Sequence, residues 1–318
     1  MSTSKQFLAL SLGLTLCATS AHASGWMSNG FVVPNAIHNG DSDTTVVGLV
    51  NASGDTVRVF WTFFDQNGQP SDKGCFVMPD KRSRPFIWSS VASAGNQGKR
   101  GYLVFAVANK YPVLPNVCGL TGPGLAPISA TLRSSAKVNG NAFQVNLASS
   151  DVAFLPVISG SLSLKTADAD IATMAPDTLV DVGGAPYATT KHSLRYYING
   201  AAGGDDTGLL MWSTADMRGT HLVAVYNDAS DSTSVAMTLS SSRQNWVNVE
   251  SLPGLPAAYR DGFIEWNPTV TPADFGALGG TAGQSLGALS ANRPVFTYSV
   301  ISAPAFGAVQ TLLGFYGY

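Results

Sequence analysis

Val57-Arg58-Val59-Phe60-Trp61-Thr62-Phe63-Phe64-Asp65-Gln66-Asn67-Gly68 is the stretch that decides the fold. In an extended chain, successive side chains point to opposite faces. Val57, Val59, Trp61 and Phe63 then share one face, and Arg58, Phe60, Thr62 and Phe64 the other. β-Branched and aromatic side chains suit a pleated surface, and Asp65 to Gly68 supplies turn residues at its end. The run reads as an antiparallel strand with its first face in a core. Its second face carries two phenylalanines that need cover. Phe60 and Phe64 are therefore a candidate interface, covered by another domain, a long loop or a partner protein.

Similar runs recur along the chain. Gly30-Phe31-Val32-Val33 leads to Val47-Gly48-Leu49-Val50-Asn51, as Gly208-Leu209-Leu210-Met211 leads to Val223-Ala224-Val225-Tyr226-Asn227. Val57 to Phe63 then matches Thr233 to Leu239, and Gly101-Tyr102-Leu103-Val104-Phe105 matches Gly262-Phe263-Ile264-Glu265-Trp266. Phe154 to Ser159 and Thr297 to Ser302 close the two copies. Helical periodicity is nearly absent, and Gly, Asn, Asp and Pro bound the alternating runs. Asn139-Gly140 reads as a tight hairpin turn, since both of its positions tolerate positive φ. Short helices are expected only at Asp168 to Met174 and at Thr271 to Phe275. The expected architecture is all-β, with two tandem antiparallel β-sandwiches of immunoglobulin-like type from a diverged internal duplication. Residues 24–160 form the first, 161–207 connect, and 208–318 form the second; the joint is expected within Ala201 to Asp206.

Thr44-Thr45, a Val-rich strand ending at Asn51, a strand ending in Asp65-x-x-Gly68, and Gly101-Tyr102-Leu103-Val104 together resemble secreted bacterial proteins built of immunoglobulin-like sandwiches. The resemblance covers mainly residues 44–108. It implies the fold and carries no catalytic residue with it.

Residues 1–23 read as a secretory signal peptide: Lys5, an apolar run from Phe7 to Ala18, then Ala21-His22-Ala23 as a small-x-small cleavage site. That run is too short for a permanent bilayer-spanning helix, and no later stretch is long and apolar enough for one. The protein is expected to be exported to the periplasm, the cell surface or the medium. Cys17 leaves with the signal, and Cys75 and Cys118 are expected to pair. Charged residues make up 12% of the chain against roughly 25% in an average domain. The net charge of −2 comes without a basic block, which argues against nucleic acid as a partner.

Chemistry-bearing motifs are sparse. Gly283-Gln284-Ser285-Leu286-Gly287 has the G-x-S-x-G form, but a Gly-rich stretch rather than a strand precedes it and no histidine follows Ser285. It reads as a chance match, and no catalytic residue is assigned. His38, His192 and His221 are too far apart in sequence to form a zinc motif. Asp41 with Asp43, Asp168 with Asp170, Asp205 with Asp206, and Asp228 with Asp231 lie in turns that could hold a structural calcium ion. No other cofactor is implied. Trp246 with Tyr259 is a candidate sugar platform. The C-terminal run to Tyr318, aromatic at Phe315, Tyr316 and Tyr318, has the look of a barrel-closing strand. The expected function is a non-enzymatic binding, adhesion or extracellular structural role, with a protein or a glycan at the surface as partner. The alternatives are a carbohydrate-binding or carbohydrate-active protein and a small outer-membrane β-barrel.

Overall fold

A computed structural model describes residues 27–109, 118, 129–147, 151–199, 204–269, 289–304 and 308–317. The stretch read as a signal peptide (residues 1–23), residues 201–203, Thr271 to Phe275, the G-x-S-x-G motif and Tyr318 lie outside them. The first half supplies β1 (Gly30–Ile37), β2 (Asp43–Asn51), β3 (Val57–Asp65), β4 (Pro70–Met78), β5 (Arg82–Ile87), β6 (Arg100–Val107), β7 (Val138–Asn146), β8 (Asp151–Leu155) and β9 (Ile158–Ser159). A small sheet of β10 (Leu162–Leu164) and β11 (Leu179–Val182) follows. The second half supplies β12 (Lys191–Tyr197), β13 (Asp206–Ser213), β14 (Gly219–Asn227), β15 (Ser232–Leu239), β16 (Gln244–Asn248), β17 (Asp261–Trp266), β18 (Val295–Ala303), β19 (Ala308–Leu313) and β20 (Phe315–Gly317).

The four larger sheets pair as two β-sandwiches. The first half has strand orders β4-β3-β6-β1-β9 and β5-β2-β7-β8. The second has β15-β14-β17-β12-β20 and β16-β13-β18-β19, the same order with every label raised by eleven. The agreement extends to one turn. Asp65 Oδ1 accepts the N–H groups of Asn67 (2.9 Å) and Gln69 (2.8 Å), and Asn227 Oδ1 those of Ala229 (3.1 Å) and Asp231 (2.8 Å). Gly68 and Ser230 hold the third position of each turn at φ 78° and 68°. Gly101 and Gly262 pair with Asp65 and Asn227, and a Cβ on either would strike the carbonyl oxygen of Phe64 or Tyr226.

The strand orders also correct the sequence matching. β1 answers to β12, β2 to β13 and β3 to β14, so most of the matched runs are offset by one strand. Only Gly101 to Phe105 and Gly262 to Trp266 stand in equivalent places. Alternating apolar strands look alike, and an offset of one strand leaves the pattern unchanged. Lys191–Tyr197, inside the stretch expected to connect, is β12, hydrogen-bonded between β17 and β20.

The alternation of β3 places its side chains as expected. Val57, Val59, Trp61 and Phe63 enter the first sandwich core beside Phe31, Trp88 and Phe105. The second sandwich core gathers Leu194, Met211, Val225, Ile264 and Trp266. Asn139-Gly140 is no hairpin turn: it lies inside β7, paired with β2. Gly140 serves close approach instead, since a Cβ there would fall 2.4 Å from the Phe31 ring. Residues 168–174 form turns, not a helix, because the Asp170 carboxylate takes the N–H groups of Ala130 and Ala172 and the Thr173 hydroxyl.

Candidate functional site: the junction between the sandwiches

A third core lies between the two halves. The outward face of β3 and β6 contributes Phe60, Phe64, Tyr102 and Val104; residues 162–182 add Leu162, Ile171, Met174 and Val182. The outward face of β13 and β18 adds Leu210, Trp212, Phe296 and Tyr298. Phe60 and Phe64 are only 6% and 2% exposed. The expected interface is thus covered from within the chain. Phe64 stacks on Tyr102 at 5.0 Å between centroids, and Trp212 meets the edge of Tyr102 at 5.9 Å. Burial raises the Tyr102 hydroxyl pKa far above its ordinary value, so it stays neutral.

Directional bonds fix the register of the halves. The N–H groups of Arg243 and Gln244 both donate to the Gln66 carbonyl at 3.0 Å, and Ser242 Oγ donates to that of Asn67 at 2.8 Å. Gln244 Nε2 donates to the carbonyls of Pro34 and Gly101, each at 2.8 Å. Pro34 has no N–H, and the β1–β6 ladder shifts between Val33 and Ala36, which frees its carbonyl for this contact.

Beside the junction opens a cleft of about 520 Å³. Its polar wall includes Asn35, Asp43, Arg100, Gln144 and Asp151, and its apolar wall Leu155, Val300 and Val309. Arg100 lies 4.0 Å over the Trp246 ring and donates to Asn35 Oδ1 at 2.7 Å. Burial lowers its pKa from the ordinary arginine value, with Tyr298 and then Asp43 opposing that shift. Among the described residues no carboxylate reaches ion-pair distance of Arg100. The cleft can therefore offer guanidinium donors and amide groups to a small polar ligand.

The sequence candidates fall in several places. Cys75 and Cys118 form a disulfide with a Cα–Cα distance of 5.4 Å. Trp246 is held between Arg100 and the Gly208 backbone, where a Cβ would fall 1.8 Å from the indole. Tyr259 packs instead on the second sandwich core, so the structure does not bring the two aromatics together as a platform. His192 and His221 flank Trp266 at 5.6 and 5.4 Å, while His38 accepts the N–H of Gly40. The turn aspartates mostly bind their own turns: Asp43 accepts from Asn39, and Asp231 from Asn227. Among the described residues no three His, Cys, Asp or Glu side chains gather as a metal site. The Arg100–Trp246 pair was not legible in sequence, since neither residue carries a local signal for the other.

The fold and junction define an all-β chain whose sheets pair as two sandwiches. The chain matches no protein-family model, no curated protein and no solved structure.

Proposed function

We infer that this is an exported, non-enzymatic protein in which two immunoglobulin-like sandwiches, descended from one by duplication, serve binding, adhesion or extracellular structure as one rigid unit. The observation that carries the reading is the repeated strand order fused through a shared buried core. Domains joined by small polar interfaces move by default, whereas a large apolar one favours a single body. The disulfide suits an oxidising compartment, and the low charge suits a surface built of Ser, Thr, Asn and Gly.

Fractionation of producing cells tests it. Soluble protein cleaved after Ala23, recovered from periplasm or medium, supports the reading. Retention in the outer membrane until detergent is added would favour the barrel instead. A second role is favoured by the cleft at Arg100: recognition of a small polar ligand, a glycan fragment among the candidates. A thermal-shift screen of saccharides and small carboxylates checks it, with Arg100→Met expected to abolish any shift.

A further inference from the structure

The junction joins unlike faces. The outward face of β4-β3-β6-β1-β9 meets the outward face of β16-β13-β18-β19, and these sheets are not counterparts in the two halves. Each has a counterpart that no described segment covers. One is the outward face of β15-β14-β17-β12-β20, and the other that of β5-β2-β7-β8. A contact between unlike faces is heterologous, and it extends from copy to copy unless rotation closes it.

Each free face retains one feature of its occupied counterpart, and the outward face of β15-β14-β17-β12-β20 also carries the ion pairs Lys191–Glu265 and Arg195–Asp261. The stacked pair Phe64–Tyr102, on which Trp212 docks, has its counterpart in Tyr226–Phe263, stacked at 4.5 Å, with Phe263 38% exposed. On β5-β2-β7-β8 the outward rows include Val46, Ile87, Phe143 and Phe154, then Val145 and Val152, and finally Val50. No charged residue stands on the outward positions of these rows. Val46 and Val145 are buried by their neighbours yet belong to none of the three cores, and Val50 and Val152 are 40% and 51% exposed.

The polar anchor has a counterpart too. Asn51 and Ser213 end β2 and β13, each accepting the N–H two residues on at 2.9 Å. Arg82 lies opposite Asn51, and the Arg243 carbonyl accepts the Ser213 N–H. Arg82 therefore holds in the first half the place that Arg243 holds in the second, and it is Arg243 that lies against the turn 65–68. The free counterpart of that turn, 227–231, carries exposed Asp228 and Asp231, while Lys81, Arg82 and Arg84 are exposed and basic.

We propose that a second copy of this chain docks by repeating the junction. The outward face of β15-β14-β17-β12-β20 of one copy seats on the outward face of β5-β2-β7-β8 of the next, with the acidic turn 227–231 against the basic strand start at Lys81 and Arg82. The inference deepens the structural role given above and rests on the same repeated strand order.

Sedimentation velocity on the mature chain, from micromolar to millimolar concentration, tests it. The average mass rises with concentration past that of a dimer. Arg82→Glu and Asp228→Arg each weaken association at least tenfold, because like charges then face each other. The double variant, with the pair reversed, regains association. Val152→Lys, at a position already open to solvent, weakens association without changing the thermal midpoint. A monomer at every concentration would overturn the proposal, as would association that stops at a dimer or ignores all three substitutions. A monomer recovered from the exported fraction would overturn this inference alone and leave the proposed export intact.

Discussion

Replacing Trp212 with alanine tests the junction directly. The indole is 1% exposed and stands on the outward face of β13, in the core shared between the halves and outside the second sandwich's own core. Truncating a buried Trp to Ala costs about 3–5 kcal/mol, from lost transfer energy and the cavity left behind. Its ring contact with Tyr102, which in turn stacks on Phe64, is lost with it. The cost therefore falls on the coupling between sandwiches, not on either one. Urea unfolding followed by far-ultraviolet circular dichroism should give one transition for the wild-type protein. The variant should lose at least about 3 kcal/mol and unfold in two steps, as uncoupled sandwiches do. A loss below about 1 kcal/mol with a single retained transition would refute the argument, since a junction residue that central cannot be dispensable.

Other substitutions probe separate parts of the account. Gly140→Ala should cost about 1–3 kcal/mol in a thermal melt, because its methyl group would enter the Phe31 ring space. Replacing Cys75 and Cys118 together with Ser should cost up to about 4 kcal/mol on the chain-entropy estimate, given 43 residues of separation; a denaturation midpoint unchanged by dithiothreitol would contradict this. Burial lowers the His192 pKa to about 4 from 6.5. The unfolded chain then takes up its proton first as pH falls, so this contribution is complete above pH 6.5 and is lost toward pH 4. The loss is about 3 kcal/mol. Melting temperatures at pH 7.5 and 4.5 should show that drop, and His192→Phe should show a smaller one.

Local rules made the sandwich faces legible. Period-two alternation in β3 placed Val57, Val59, Trp61 and Phe63 in the core, and Asp65 to Gly68 announced its turn. The surplus apolar side chains Phe60 and Phe64 announced that something lay over them. What lay over them was not legible, because the second half and residues 162–182 reach that face through contacts more than 90 residues away in sequence. Gly140 misled for a related reason: a glycine that opens a turn and one that admits a ring are the same letter. The offset between the halves had the same root. Each hairpin satisfies the same alternation, and only hydrogen-bonded strand order tells β2 from β3. The cleft at Arg100 needs β6, β16 and β18 together, so no window of sequence contains it.

Differential scanning calorimetry of the wild-type protein tests the central claim that both sandwiches form one cooperative unit. The account predicts a single endotherm whose calorimetric and van't Hoff enthalpies agree. Two separated endotherms, each near half the total enthalpy, would show two independent domains and contradict it.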